Sequence, residues 1–343
     1  MLDDLNVISQ RDPQGALGVA AAQPEQTTWQ AEIQNDGEVQ DVKNVVVAGM
    51  GGSALAAGIV KNWLKLDVPF EIVRKYNLPN YVGKDTLVIA SSYSGNTEET
   101  LACLEEAEGL GAQIAIISAG GQLVDIAQEK NLPYIQLTAD YQPRMAVTLN
   151  LRALVKLLEK YNLVQGKYDE IAATGEWLAS EAKKWSPEIP TTENLAKQLA
   201  EKSAGKNIVI YSGPRMAPVG YKWKISFNEN AKNIAFCNEL PEFNHNEFIG
   251  WTSHPVDKPF AVYDLISGFD PPQVLKRFEV SDRLLSGLRP KSTPIELAGN
   301  SVIAQMLWGA MLADFVSIYL AILNGIDPTQ VDLIEKLKKE LAS

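Results

Sequence analysis

Cysteine and histidine are scarce in this chain: 343 residues carry two of each. Cys103 and Cys237 are too few for a disulfide framework, which points to a reducing, cytoplasmic setting. His245 and His254 cannot build a three-histidine zinc site, and neither CxxC nor HxxxH spacing occurs, so no metal centre is expected. Positive charge is also short. Lys and Arg total 31 against 42 Asp and Glu, a net charge of −11. That balance lacks the basic footprint of a nucleic-acid binder. The opening stretch, MLDDLNVISQRDPQGALG, has no basic segment followed by an apolar one and does not read as a secretory leader. One run, 301–323, is long and apolar enough to span a bilayer. Asp314 sits in its middle and would cost about 3 kcal/mol there, so a helix buried in the core or in a dimer interface is expected instead of a membrane segment.

What is present is an ordinary globular mix, 46% hydrophobic and 21% charged, of a length that suits about two domains. Short, nearly all-apolar runs recur at Asn44–Gly49, Phe70–Arg74, Thr86–Ser91, Gln113–Ser118 and Tyr134–Leu137. Helical periodicity fills the gaps, as at Thr97–Leu110 and Leu123–Lys130. Strands apolar on both faces and separated by helices predict a parallel sheet covered on both sides. Residues 151–204 then lose strand character, with Pro187 and Pro190 interrupting helices. A second series opens at Asn207–Ser212 and continues through Pro259–Tyr263 and Pro294–Leu297. The two openings look alike: VVVAGMGGSALAAGIVKNW and IVIYSGPRMAPVGYKWKIS are each a strand, a Gly turn and a helix. The fold class is therefore α/β, two parallel sheets of related topology, with ligands expected at strand C-terminal ends.

Two motifs follow strands of the first series. Gly49-Met-Gly-Gly-Ser-Ala54 formally matches a dinucleotide fingerprint. The strand that should end in a ribose-binding acid ends instead in Arg74-Lys75, which disfavours NAD and leaves NADP open. The plainer reading is a tight turn that needs glycine. The second motif, Ser91-Ser-Tyr-Ser-Gly-Asn-Thr-Glu-Glu-Thr100, runs from a buried strand into a helix. Hydroxyls of Ser92, Ser94 and Thr97 with the free amides of a first helical turn make a cradle for a phosphate monoester. A helix cap needs one hydroxyl, and this cluster has several.

GGSA followed some forty residues later by SSYSGNTEET resembles a SIS (sugar isomerase) domain. Two such halves with a C-terminal helix resemble the bifunctional phosphoglucose/phosphomannose isomerase group of archaea and bacteria. On that resemblance the chain divides into an N-terminal extension (1–40), which matches nothing recognisable, a first SIS subdomain (41–150), a helical connector (151–204), a second SIS subdomain (205–325) and a C-terminal helix (326–343). The resemblance implies hexose 6-phosphate substrates, no metal or redox cofactor, and a homodimer with a shared active site. Gly52 and Ser53 join Ser92, Ser94 and Thr97 around the phosphate. Arg144, in Tyr141-Gln-Pro-Arg-Met-Ala-Val147, inherits stabilisation of an enediolate. Glu229, in Asn228-Glu-Asn230, inherits the role of base, with Trp223 and Phe227 as desolvating neighbours. His245, in Asn244-His-Asn246, inherits ring opening and is implied to reach the partner subunit's site. Lys338 matches a ring-opening lysine near the C-terminus; Lys336 stays open as its competitor, and Lys339 reads as solvated. His254 reads as structural or surface. The implied reaction is the reversible isomerisation of glucose 6-phosphate and fructose 6-phosphate, and of mannose 6-phosphate as well.

Three other readings compete. A non-catalytic SIS sensor would keep the cradle without turnover. The isomerase half of a glucosamine-6-phosphate synthase would call for an N-terminal cysteine, where this chain reads Met1-Leu2-Asp3. An NADP oxidoreductase would use the glycine turn.

Overall fold

The computed structural model describes residues 1–37, 40–253 and 258–341, with the side chain of Lys338 outside the description. It divides into two compact units. One comprises Ala22–Leu178 and Ser301–Ala304, the other Met1–Ala21, Ala179–Asn300 and Gln305–Ser343. His254 lies outside the described residues.

The first unit holds a six-stranded sheet of β1 (Ile33–Gln34), β2 (Asn44–Gly49), β3 (Phe70–Val73), β4 (Thr86–Ser91), β5 (Gln113–Ser118) and β6 (Tyr134–Gln136), in the order β1-β6-β5-β4-β2-β3. All neighbours pair in parallel except β1 and β6, which are antiparallel. Every residue of β4 is buried, as are five of the six in β2 and in β5. That is why these strands read as unbroken apolar runs: helices cover both faces, and neither face alternates toward water. The parallel part of the sheet begins at β2, steps outward to β3, then returns past β2 to β4. At such a reversal the connections leave β2 and β4 in opposite directions and open a crevice above their C-terminal ends.

The second unit repeats the scheme with β7 (Asn207–Ser212), β8 (Ala235–Glu239), β9 (Phe260–Ile266) and β10 (Thr293–Glu296), ordered β10-β9-β7-β8 and parallel throughout. Here β7 plays the part of β2. The likeness between the two sequence openings is thus a shared strand, turn and helix at the entry point of each sheet. Two strands departed from the sequence reading. β1 is two residues long, and β8 exposes Phe236 at a sheet edge, so neither shows a sustained apolar run.

Each unit takes up part of the N-terminal stretch, residues 1–21 in one and the residues from 22 onward in the other. Arg11 donates to the carbonyl of Ile322 at 2.6 Å, and Lys197 pairs with Asp3 at 3.1 Å. Arg152 donates to the carbonyl of Trp29, and the Tyr168 hydroxyl accepts from the Ala31 amide while donating to Trp29. The long apolar run forms the helix Val302–Asn324, whose most apolar 18-residue window is 94% buried within the protein. Asp314 is buried in it, paired with Lys222 at 2.6 Å.

Candidate active site

The crevice of the first sheet is where both motifs converge. Gly49, the last residue of β2, sits in register with Ser91, the last of β4. A side chain at Gly49 would stand 2.6 Å from the Ser91 carbonyl oxygen, so the two strand ends meet because position 49 has none. From Gly49 the chain turns into the helix Gly51–Trp63, which places Ser53 in its first turn, buried beside Gly49. From Ser91 it turns through 92–97 into the helix Glu98–Gly109.

The hydroxyls of that second turn are organised among themselves. Ser92 Oγ and Thr97 Oγ1 lie 2.7 Å apart, and Ser92 Oγ and Ser94 Oγ 3.5 Å apart. Ser92 Oγ also accepts the Gly95 amide at 3.2 Å. Thr97 occupies the N-cap position but makes no side-chain bond to the helix it precedes. The capping explanation therefore fails for Thr97: its hydroxyl faces Ser92, and the first-turn amides keep their donor capacity for something else. A helix N-terminus with such amides and three convergent hydroxyls suits a dianionic monoester. Ser94 is exposed while Ser92 is buried, so the cluster runs from solvent inward.

Arg144 joins this crevice. It lies on the 3₁₀ turn Pro143–Met145 and is 3% exposed, so it is not the solvated loop arginine that its setting suggests. A Cβ at Gly52 would stand 2.6 Å from the Pro143 carbonyl oxygen, which puts the glycine turn directly against the arginine turn. Two residues missed in the sequence hold that turn. The Tyr93 hydroxyl donates to the Thr138 carbonyl at 2.7 Å and accepts the Tyr141 amide at 3.0 Å. Burial raises the Tyr93 pKa, which keeps the phenol protonated and able to donate. Gln26 Nε2 donates to the Met145 carbonyl at 2.8 Å, from a segment with no recognisable motif. Gly52, Ser53, Ser92, Ser94, Thr97 and Arg144 all belong to this one unit.

Glu229, His245 and Lys338 belong to the second unit. Glu229 is the last residue of the helix Ala217–Glu229 and is half-buried. Trp223 and Phe227, expected to desolvate it, are fully buried core residues that pack with Tyr263, ring centroids 5.7 and 6.4 Å away. His245 ends the 3₁₀ segment Glu242–His245 and is exposed. That segment is anchored by Phe243, buried against Tyr211 at 4.3 Å and Phe248 at 5.7 Å. Asn244 reinforces it through Ser281 and Arg277. A rigid mount with an outward-facing imidazole results. Lys338 lies in the helix Asp332–Leu341, and its side chain is outside the described residues. Lys336 on the same helix is exposed and sits 3.8 Å from Glu340.

Comparison with known proteins bears on these arrangements. The SIS domain family matches residues 38–143, and the bacterial phospho-glucose isomerase C-terminal SIS domain matches residues 192–341. The chain is 36% identical over 310 residues to the bifunctional phosphoglucose/phosphomannose isomerase of Caldicellulosiruptor bescii, covering 89% of this chain and 91% of that one. It is 32% identical to the protein of the same name from Aquifex aeolicus, covering 87% and 90%.

The chain belongs to the bifunctional phosphoglucose/phosphomannose isomerase family.

The fold agrees with that placement. The C-terminal domain of glucosamine-fructose-6-phosphate aminotransferase from Francisella tularensis superposes with a TM-score of 0.69 at 16% identity, covering 92% of this chain and 98% of that domain. In the first unit the glycine turn lies against the arginine turn and follows the strand end that pairs with Ser91.

Proposed function

We propose that this chain interconverts glucose 6-phosphate and fructose 6-phosphate, and mannose 6-phosphate with them, through a cis-enediolate. The observation that carries this reading is the hydroxyl cluster at the crossover crevice, in a chain that matches named isomerases along nine-tenths of its length. Ser53, Ser92, Ser94 and Thr97, with the amides at Gly52 and the first turn of the following helix, hold the phosphate. His245 transfers a proton between the ring oxygen and the C1 hydroxyl to open the pyranose, with Lys338 assisting and Lys336 the other candidate for that part. The Glu229 carboxylate then takes the C2 proton of the open aldose. The C–H electron pair becomes the C1–C2 double bond, and the C1 carbonyl oxygen takes up negative charge. The Arg144 guanidinium offsets that charge, the C2-hydroxyl proton passes to the C1 oxygen, and Glu229 returns the carbon-bound proton to C1, so that the C1–C2 double-bond electrons form the new C1–H bond and the C2 oxygen closes to the ketose carbonyl. Because C2 is planar in the intermediate, rotation about C2–C3 presents either face to the same base. Both 2-epimers then arise from one site.

The assembly that completes the site is a homodimer. Ile234 and Phe236, at the start of the edge strand β8, and Ile249, four residues after His245, are 61%, 56% and 71% exposed. Phe236 also lines a cavity of about 570 Å³ with Trp251 and Phe260. Large exposed apolar side chains in the same unit as an exposed histidine suit burial against a second copy of the chain. Two free thiols agree with a reducing, cytoplasmic location.

The test is a coupled assay on all three hexose 6-phosphates with a chelator present, run on the wild type and on Glu229→Gln. The wild type interconverts all three. The variant loses about 10³-fold in kcat on the glucose and mannose substrates alike, with KM little changed. A variant still active on mannose 6-phosphate would remove the shared base. A wild type that binds fructose 6-phosphate without turnover would leave a sensor.

A further inference from the structure

The helix that ends at Glu229 is pinned to the helix Val302–Asn324 by a chain of buried polar contacts that the reaction as described does not use. The Trp223 indole donates to the Gly309 carbonyl at 2.9 Å. Lys222 Nζ and Ser226 Oγ converge on Asp314 Oδ1 at 2.6 and 2.8 Å. Asn230 Nδ2 donates to Ser317 Oγ at 2.9 Å. Lys222, Ser226, Asn230, Asp314 and Ser317 are all buried. The contacts climb both helices in the same direction, so the two run parallel, and the last contact is made by the residue next to Glu229. The helices also approach closely: a side chain at Gly309 would stand 2.8 Å from Val219 Cγ1.

We propose that this ladder sets the register of the 217–229 helix and thereby places the Glu229 carboxylate for proton transfer, with Asp314 as its central positioning residue. The proposal rests on Glu229 being the base. The partner helix is apolar nearly all round. Apolar contact is non-directional and tolerates sliding. A slip of one residue moves a helix about 1.5 Å and turns it about 100°. A carboxylate that must reach two adjacent carbons does not tolerate that, since a displacement near 1 Å costs about 10²-fold in rate. A buried lysine and aspartate cannot be slid apart without stranding both charges, so the pair specifies one register where packing alone does not.

Three variants test this. Lys222→Met with Asp314→Leu replaces the ion pair by apolar groups, a change that commonly leaves stability equal or higher. We expect normal thermal unfolding, kcat down at least about 10-fold on both aldose substrates, and KM within about 2-fold of wild type. Ser317→Ala removes the hydroxyl that accepts from Asn230, keeps the Lys222–Asp314 pair, and serves if the double variant does not fold. Its kcat falls several-fold with KM unchanged. Either folded variant with wild-type kcat overturns the proposal. So does a variant that loses only melting temperature while kcat per folded site is kept, which marks a merely structural ladder. Glu229→Gln separates the two levels. Activity retained there removes the base itself. Activity lost there but kept in the ladder variants removes only the positioning role.

Discussion

At Gly52 a methyl group would stand 2.6 Å from the Pro143 carbonyl oxygen, a backbone atom that cannot swing aside. The glycine is therefore required by the approach of the arginine turn. Gly52→Ala is expected to cost about 1–3 kcal/mol in stability as the two turns move apart. It should also raise KM for the hexose 6-phosphates, because Ser53 follows directly. Thermal unfolding beside steady-state kinetics checks both, and an unchanged KM would detach the glycine turn from substrate binding. A second residue-scale effect concerns Asp264 on β9, which is buried and whose pKa is pushed up to about 6 by desolvation, against the opposing pull of Ser292 and Arg289. Between pH about 4 and about 6 the folded state keeps a proton that the unfolded chain has released. Stability therefore falls across that window as pH rises, then levels off above it. Asp264→Asn mimics the protonated form. Its stability gain over wild type should be larger at pH 8 than at pH 4.5, by about 2 kcal/mol. Urea midpoints at the two pH values measure this, and an equal gain at both would sink it.

Elements place these groups chiefly through their ends, and the connection between ends is what Tyr93 supplies. Its hydroxyl bridges Thr138 and Tyr141, tying the serine turn to the segment that carries Arg144. Tyr93→Phe removes both bonds, leaving a half-buried carbonyl and amide short of a partner, at a cost of about 1–2 kcal/mol. The expected signature is a lower kcat with KM for the phosphosugar less affected, because the hydroxyls of Ser92 and Thr97 stay in place. Equal losses in kcat and affinity would mean the serine turn itself had collapsed. The same geometry explains what could be read without coordinates. β2, β4, β5 and β7 are legible to the residue because both their faces are buried. β8 was not, since an edge strand with Phe236 turned outward keeps only part of the pattern. The hydroxyl cluster was legible because it is denser than a helix cap requires. Tyr93 and Gln26 were not, because each acts on a carbonyl 45 or 119 positions away, and no local pattern encodes a distant partner. Asp314 was visible only as a misfit in an apolar run, and Lys222 explains it.

For the whole molecule the decisive question is whose histidine serves whose base. Glu229 and His245 lie in the same unit of one chain, yet His245 is exposed on its anchored 3₁₀ segment, and the same unit exposes Ile234, Phe236 and Ile249. If the histidine acts across a twofold interface, the two catalytic groups of any one site come from different chains. Subunit mixing turns this into a count. Glu229→Gln and His245→Ala are each expected to be nearly inactive as homodimers. After unfolding and refolding an equimolar mixture, about half of the dimers are mixed. In each mixed dimer one site inherits both defects and the other inherits neither, so about a quarter of all sites, and of wild-type activity, should return. If each histidine serves its own chain, every site in the mixture carries one defect and activity stays at the level of the parents. Dilution below the dimer dissociation constant should then abolish the recovered activity in the first case, because a separated subunit holds a base without its ring-opening partner.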